Sequence, residues 1–234
     1  MRALDCDEMK LADFSLLRYT ILHDTAVPWD TNGTLKGTIM ALVVAVEGLP
    51  GCGKTTAIGL MQADLRNQGF RVKTVDTDTI THAQTLRAIA GGYPLDHPAR
   101  SMLFWVLRMQ QYEEIARIRD CADVVFADRS WGTALAFDGY GNGVSCDFLA
   151  WVGQALVQPD ITFFFSAPLA LVRGRKVSRT MRDREFARRV ERGYRKIARA
   201  HRWLTVDATQ SPEDVKDHCL EIIRSAVWRA AHQS

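Results

Sequence analysis

The sequence predicts an α/β fold: a five-stranded parallel sheet flanked by helices on both faces. Three observations carry that expectation. A glycine-rich loop, Gly48-Leu49-Pro50-Gly51-Cys52-Gly53-Lys54-Thr55, follows an apolar run and precedes a helical one. Short apolar segments then alternate with longer helical segments, the pattern of a parallel sheet covered on both sides. One apolar segment ends in an acid, Asp128, followed at once by Arg129.

The elements follow in order. Residues 41–46 (ALVVAV) are an unbroken apolar run suited to a buried strand. Residues 56–68 read as an amphipathic helix with Gly69 as its stop. A second strand spans 70–76. A long helix covers 99–121, begun after Pro98. Residues 123–127 (DVVFA) make a third, apolar strand. Gly139-Tyr140-Gly141-Asn142-Gly143 reads as a glycine-rich turn leading into a helix over 147–156. Residues 161–165, entered through Pro159-Asp160, are a fourth strand. Residues 168–177 are helical, and the basic stretch beyond them stays helical to about residue 200. A fifth strand spans 203–206. Ser211-Pro212-Glu213-Asp214 places an N-cap, a first-turn proline and acids in the order that starts the last helix.

Residues 40–234 are thus expected to form one domain. Residues 1–39 lack periodicity and hold turn signals at Pro28-Trp29-Asp30 and Thr31-Asn32-Gly33, and Met40 directly precedes the first strand. They are expected to be a flexible N-terminal extension or the product of a start codon assigned too early, with a short helix near 11–19 as the alternative.

Composition narrows the function classes. A hydrophobic share of 47% in 234 residues suffices for one core. No apolar run reaches the roughly 18 residues that span a bilayer, and the N-terminus has no secretory pattern, so no membrane role is expected. The five cysteines are scattered, odd in number and not in metal-ligand spacing, which suits a reducing cytoplasm. From Arg173 to Arg202 there are 13 Lys and Arg against three acids. Such a run suits a solvated face, a phosphate clamp or a nucleic-acid patch. Only Phe186 and Tyr194 interleave it, so nucleic acid is the weakest of the three.

The loop carries the chemistry. It fits G-x-x-x-x-G-K-[ST], whose backbone N–H groups turn inward around a phosphate along a path that a Cβ would obstruct. Gly48, Gly51, Cys52, Gly53, Lys54, Thr55 and Thr56 are therefore expected to bind ATP. Lys54 would reach the β- and γ-phosphates, and the Thr55 hydroxyl would ligate Mg²⁺. An acid closing an apolar strand beside such a loop is the Walker B pattern, so Asp128 is the second expected Mg²⁺ ligand. Arg129 is suited to a second phosphate group, or to a structural pair with Asp128. Asp76-Thr77-Asp78-Thr79 ends another strand at the same edge. These features describe a P-loop kinase fold.

Several ordered segments together resemble the thymidylate kinase family over residues 42–227. AVEGLPGCGKTT is similar to that family's EG-x-x-G-x-GKTT opening. Phe104-Trp105-Val106-Leu107-Arg108 resembles its FAADR segment. Asp128 to Gly139 resembles DRY-x-x-SS-x-AYQG. Gln158-Pro159-Asp160-Ile161-Thr162 resembles its PDLT entry, Arg189 to Tyr194 the helix after the lid, and Val206-Asp207-Ala208 with Ser211 and Glu213 its closing VDA…S-x-E. The resemblance implies transfer of a phosphoryl group from ATP to dTMP. It implies that Phe104 stacks on the acceptor base, Arg108 bonds its edge and Arg129 holds its monophosphate. Thr133 and Asp138 would face base and sugar. Arg175, Arg179 and Arg182 would belong to a lid around 173–184, with Arg175 and Arg179 catalytic beside Lys54, Asp128 and Arg129. The rest of the basic run (Arg188, Arg189, Arg195, Lys196, Arg199) would be a solvated face. Related kinases pair through their long helices, which points to a homodimer across 99–121.

Three departures sit on the acceptor side. Pro50 replaces an acid. The R-E-P segment is replaced by Asp76-Thr77-Asp78, removing an arginine expected near the acceptor phosphate. Phe137 and Asp138 replace tyrosine and glutamine. Other readings therefore stay open: a kinase for a nucleoside or another small hydroxyl compound, with Asp76 or Asp78 as base, a nucleotide-binding regulator without acceptor turnover, and a nucleic-acid-associated NTPase. Asp78 is a candidate acceptor-binding residue in either kinase reading.

Overall fold

The computed structural model describes residues 41–153, 156, 158–175 and 182–232. The segment 1–39, Met40, Arg179 and the C-terminal part of the helix expected over 168–177 lie outside the described residues. Five strands form one all-parallel sheet in the order β2-β3-β1-β4-β5, with β1 Leu42–Gly48, β2 Val72–Asp76, β3 Val124–Asp128, β4 Ile161–Ser166 and β5 Leu204–Asp207. The α/β class and the five strands agree with the sequence reading, shifted by one or two residues at their ends.

Burial explains the placement of the strands. The inner positions of β1 and β3 (Val43 to Val46, Val124 to Ala127) are fully buried, as expected for central strands covered on both faces. Edge strand β5 is largely exposed, and only Val206 is buried. Asp160 caps the entry to β1, accepting the Val43 N–H at 2.7 Å.

The chain leaves β1 at the sheet centre, runs through α1 (Lys54–Asn67) and returns as β2, leaving a slot that β3 fills. In that register Asp128 stands between Val46 on β1 and Asp76 on β2. The topology thus sets the carboxyl ends of β1, β2 and β3 side by side, where ligands of open parallel sheets bind.

Between the strands lie α2 (Ala83–Gly92), α3 (His97–Ile118), α4 (Trp131–Ala134), α5 (Cys146–Gly153), α6 (Leu169–Arg175) and α7 (Arg184–Ala200), and α8 (Pro212–His232) follows β5. Asp96 caps α3 by accepting the Ala99 N–H at 2.8 Å. Ser211 caps α8 by accepting the Asp214 N–H at 3.1 Å, as its sequence predicts.

Two expectations need correction. The glycine-rich stretch is not simply a turn, because Leu135–Gly141 is a π-helical segment continuing α4. Its glycines answer to packing: a Cβ on Gly141 would lie 2.6 Å from the Phe186 ring, and one on Gly193 of α7 would lie 2.7 Å from Tyr140. Two small residues let α7 and this segment approach closely. Arg189, expected to be solvated, is half-buried and donates from Nε and Nη2 to the Gly141 carbonyl at 3.1 and 3.0 Å. Arg188, Arg195 and Arg199 are exposed as expected, whereas Lys196 is half-buried with its ammonium 5.8 Å from the centre of the Tyr140 ring.

Candidate active site

The site begins where β1 stops. Gly48, Gly51 and Gly53 adopt φ of 142°, 87° and 94°, a region that L side chains avoid. At Gly48 a Cβ would also lie 2.6 Å from the Phe165 carbonyl oxygen. Helix α1 then starts with no side-chain cap and no acid in its first turn. Its first N–H groups and its partial positive charge face the loop, the arrangement of an anion site.

Lys54 folds back over the loop. Its Nζ donates to the Gly48 and Leu49 carbonyls at 3.0 and 2.9 Å and approaches the Cys52 Sγ at 3.6 Å. Burial holds its pKa below the ordinary lysine range, the Arg129 charge adds to that, and Cys52, Asp128 and Glu47 oppose it. A buried ammonium held by carbonyl dipoles and a thiol is primed for an anion. Beside it the Thr55 hydroxyl donates to Asp128 Oδ2 at 3.0 Å. Two hard oxygen donors therefore meet at the edge of the loop, which suits Mg²⁺. That ion takes one or two protein ligands and completes its shell with phosphate and water.

Arg129 follows Asp128 with a left-handed φ of 73°. That backbone turns its side chain toward β1, where Nη1 donates to the Gly48 carbonyl at 3.1 Å and to the Tyr194 hydroxyl at 3.4 Å. Burial opposes its charge, but Tyr194, Asp128 and Glu47 outweigh that and raise its pKa. Arg129 thus remains a cation and lines the same cavity as Lys54.

The residue that orders this corner is Glu47, which the sequence reading did not single out. It is fully buried. Its Oε1 accepts the Ser130 N–H at 2.8 Å, the Ser130 hydroxyl at 2.7 Å and the Thr133 N–H at 3.0 Å. Its Oε2 accepts the Thr133 and Tyr194 hydroxyls at 2.7 and 3.2 Å. Thr133 lines the cavity as expected. Its hydroxyl proton, however, goes to Glu47, so it is a poorer donor to a ligand than the sequence suggested. The available signal was an acid closing an otherwise apolar strand.

The opposite wall comes from α3, α2 and the π-helical segment. Phe104 and Arg108 lie one turn apart on α3 and both line the cavity. Arg108 is buried, and burial lowers its pKa. Its Nη1 donates to Gln111 Oε1 at 2.6 Å, and Gln111 donates in turn to the Val75 carbonyl at 2.9 Å. The guanidinium is therefore indexed to the end of β2. Asp138 accepts the Ser101 hydroxyl at 2.9 Å, and burial pushes its pKa up. Asp78 lines the cavity but is paired with Arg87 of α2, which the sequence reading also missed. Asp76 Oδ1 accepts the Asp78 N–H at 3.0 Å and the Thr77 hydroxyl at 3.4 Å, closing the turn after β2.

Loop and wall share one cavity of about 1280 Å³. Sites for a single small ligand run to roughly 1000 Å³, so this space admits two. Of the expected lid arginines, Arg175 lines the cavity and donates to the Ala208 carbonyl at 3.3 Å. Arg182 is exposed and its carbonyl accepts from Arg173, while Arg179 lies outside the described residues.

A family model described as "Thymidylate kinase" matches residues 46–219 of this chain. A protein named thymidylate kinase from Desulfovibrio desulfuricans is 30% identical over 216 residues, covering 80% of this chain and 97% of that one. One from Geotalea daltonii is 29% identical, covering 76% of this chain and 94% of its own. One from Acinetobacter baylyi is 30% identical, covering 80% of this chain and all of its own.

Proposed function

The chain belongs to the thymidylate kinase family, and from that premise we propose that it transfers the γ-phosphoryl group of ATP to dTMP, giving dTDP and ADP. The observation that carries this reading is the continuity of one cavity from the phosphate loop to the wall of Phe104 and Arg108. Donor and acceptor can then meet in one space, as phosphoryl transfer requires.

The proposed roles are as follows. Gly48, Gly51, Cys52, Gly53 and Thr56 wrap the donor phosphates with backbone N–H groups, and Lys54 exchanges the Gly48 and Leu49 carbonyls for phosphate oxygens. Thr55 and Asp128 are placed to hold Mg²⁺, which when bound screens the donor's β- and γ-phosphate charge. Arg129 takes the acceptor phosphate. Phe104 offers its ring to the base, and Arg108 donates to the base edge. Arg175, which lines the cavity, meets the charge of the triphosphate, and Arg179, outside the described residues, is assigned the same role from the family resemblance.

Three further proposals concern the whole chain. Val106 and Met109 on α3 are exposed apolar residues, 41% and 40% accessible, and we assign this face to a homodimer. Among the described residues no helix is long and apolar enough to cross a membrane. The buried thiols of Cys52 and Cys219, neither in a disulfide, support a place in a reducing cytoplasm. Residues 40–234 act as one catalytic domain.

One experiment tests the reaction. Purified protein is mixed with Mg·ATP and a panel of nucleosides and nucleoside monophosphates, and ADP release is counted. Turnover with dTMP above the other acceptors is expected. Turnover with nucleosides alone, or with nothing, would refute the assignment. Sedimentation of the chain beside Val106→Glu tests the dimer, with a shift to monomer expected.

A further inference from the structure

The acceptor side of the cavity holds a cation that none of these roles uses. Arg87 projects from α2. Its Nη2 donates to the Thr77 hydroxyl at 3.0 Å and pairs with the Asp78 carboxylate. Its guanidinium carbon lies 6.0 Å from the centre of the Phe104 ring. Together these contacts fix it at the carboxyl end of β2. Asp76 stands opposite Asp128 in the β2–β3 register, so the chain enters Thr77 and Arg129 from adjacent strand ends. Arg87 and Arg129 both line the cavity that opens there.

The contacts of Arg87 are exchangeable. Its ion pair is open to solvent, with the two side chains 40% and 69% accessible, and such pairs contribute little. A phosphate monoester carries about two negative charges at neutral pH and accepts from a guanidinium fork in bidentate fashion. It can therefore displace Asp78 while Thr77 still anchors the arginine. The neighbouring cations are less free. Arg100 donates Nε to the Ala90 carbonyl at 3.0 Å and Nη2 to the Leu95 carbonyl at 3.2 Å, which pins α2 to α3. Arg108 is buried against Gln111.

We propose that Arg87 is a second phosphate-binding arginine for the acceptor, gripping the monophosphate together with Arg129 in exchange for Asp78. The proposal rests on the reading that the acceptor is a nucleoside monophosphate. It assigns a binding role to a helix absent from the motif-bearing segments. It also gives a reason why this chain manages with acids at Asp76 and Asp78: one of them holds the arginine in place until the acceptor arrives.

The test compares dTMP with thymidine, which differ by the phosphate alone. Binding of each to the full chain is measured by calorimetry for the parent, Arg87→Ala, Arg87→Lys and Asp78→Asn, alongside steady-state kinetics with ATP. In Arg87→Ala the dissociation constant for dTMP is expected to rise tenfold or more, while that for thymidine and the KM for ATP stay within twofold. Arg87→Lys should recover part of the loss, and Asp78→Asn should tighten dTMP at low salt without affecting thymidine. Equal weakening of dTMP and thymidine would overturn the proposal, because Arg87 would then act through Phe104 or the fold. Normal dTMP turnover in the parent with an unmoved dTMP affinity in Arg87→Ala would overturn it alone. Absence of monophosphate turnover in the parent would overturn both it and the reading beneath it.

Discussion

Glu47 accepts the Thr133 hydroxyl at 2.7 Å, and this bond joins the end of β1 to the helix that follows β3. The same carboxylate takes two backbone N–H groups and two further hydroxyls, all within the layer that carries Arg129. Glu47→Ala would strand several buried donors at once. Each unsatisfied buried group costs about 1–3 kcal/mol, so a loss of at least about 3 kcal/mol is expected in urea denaturation. Glu47→Gln keeps one carbonyl acceptor and should cost less than half as much. Equal, small losses in both variants would show that the network is not structural.

The Thr55–Asp128 contact predicts a metal phenotype. Asp128→Asn and Thr55→Ala should lower turnover about 10²–10³-fold and raise the Mg²⁺ concentration needed for half-maximal rate. Thr55→Ser preserves the hydroxyl and should stay close to the parent. A Mg²⁺ titration of the rate for each variant is the measurement. An unchanged Mg²⁺ requirement in Asp128→Asn would refute the ligand assignment.

What the sequence made legible was the part governed by local backbone chemistry. The phosphate loop, Asp128 at a strand end and Ser211 as a cap are short-range patterns, and each lies where its residues predict. What escaped depends on distant partners. Helix α2 is short, starts after His82 without a side-chain cap and ends in two glycines, so it carries no start signal in the sequence. Arg87 gains meaning only once β2 and α3 are set beside it. Gly139 and Gly141 look like turn residues because nothing local reveals that Cys146 and Phe186 occupy the space their missing side chains leave. Glu47 was visible, but its five partners come from residues 83 to 147 positions away.

Arg189 predicts a route from α7 to the cavity wall that holds Phe137 and Asp138. It clamps the Gly141 carbonyl at the end of the segment that carries Phe137 and Asp138. Arg189→Ala should raise the KM for dTMP several-fold with the KM for ATP within twofold, and Arg189→Lys should recover part of it. Equal changes in both KM values would indicate a general loss of fold instead.

Asp138 predicts a pH dependence of stability. Burial raises its folded pKa above the ordinary 3.8, with Ser101 and Asn142 opposing the rise. The folded state therefore prefers the proton. The contribution is fully present below the unfolded pKa and is lost as pH rises through the folded value. Asp138→Asn mimics the protonated form. It should gain stability over the parent as pH climbs above 4, until the parent carboxyl is fully ionised. Urea unfolding at a series of pH values reads this directly, and parallel curves for the two proteins would refute it.

Lys54 provides the sharpest separation of stability from activity. Its ammonium is buried against two carbonyls and a thiol, and burial, joined by Arg129, lowers its pKa. The unfolded chain then binds that proton more tightly than the folded one. Stability accordingly rises with pH from the lowered folded value up to the ordinary 10.5, and at neutral pH the charge is a cost to the empty protein. Lys54→Met removes the cost and fills the same space, so its stability without nucleotide should match or exceed that of the parent. Turnover should nonetheless fall about 10²–10³-fold, because the loop's own cation no longer meets the charge on the transferring phosphoryl group. The thermal shift produced by Mg·ATP should shrink in parallel. A variant that is both inactive and much less stable would mean that Lys54 is a structural residue of the loop, and a variant that keeps its activity would remove Lys54 from the phosphoryl-transfer site.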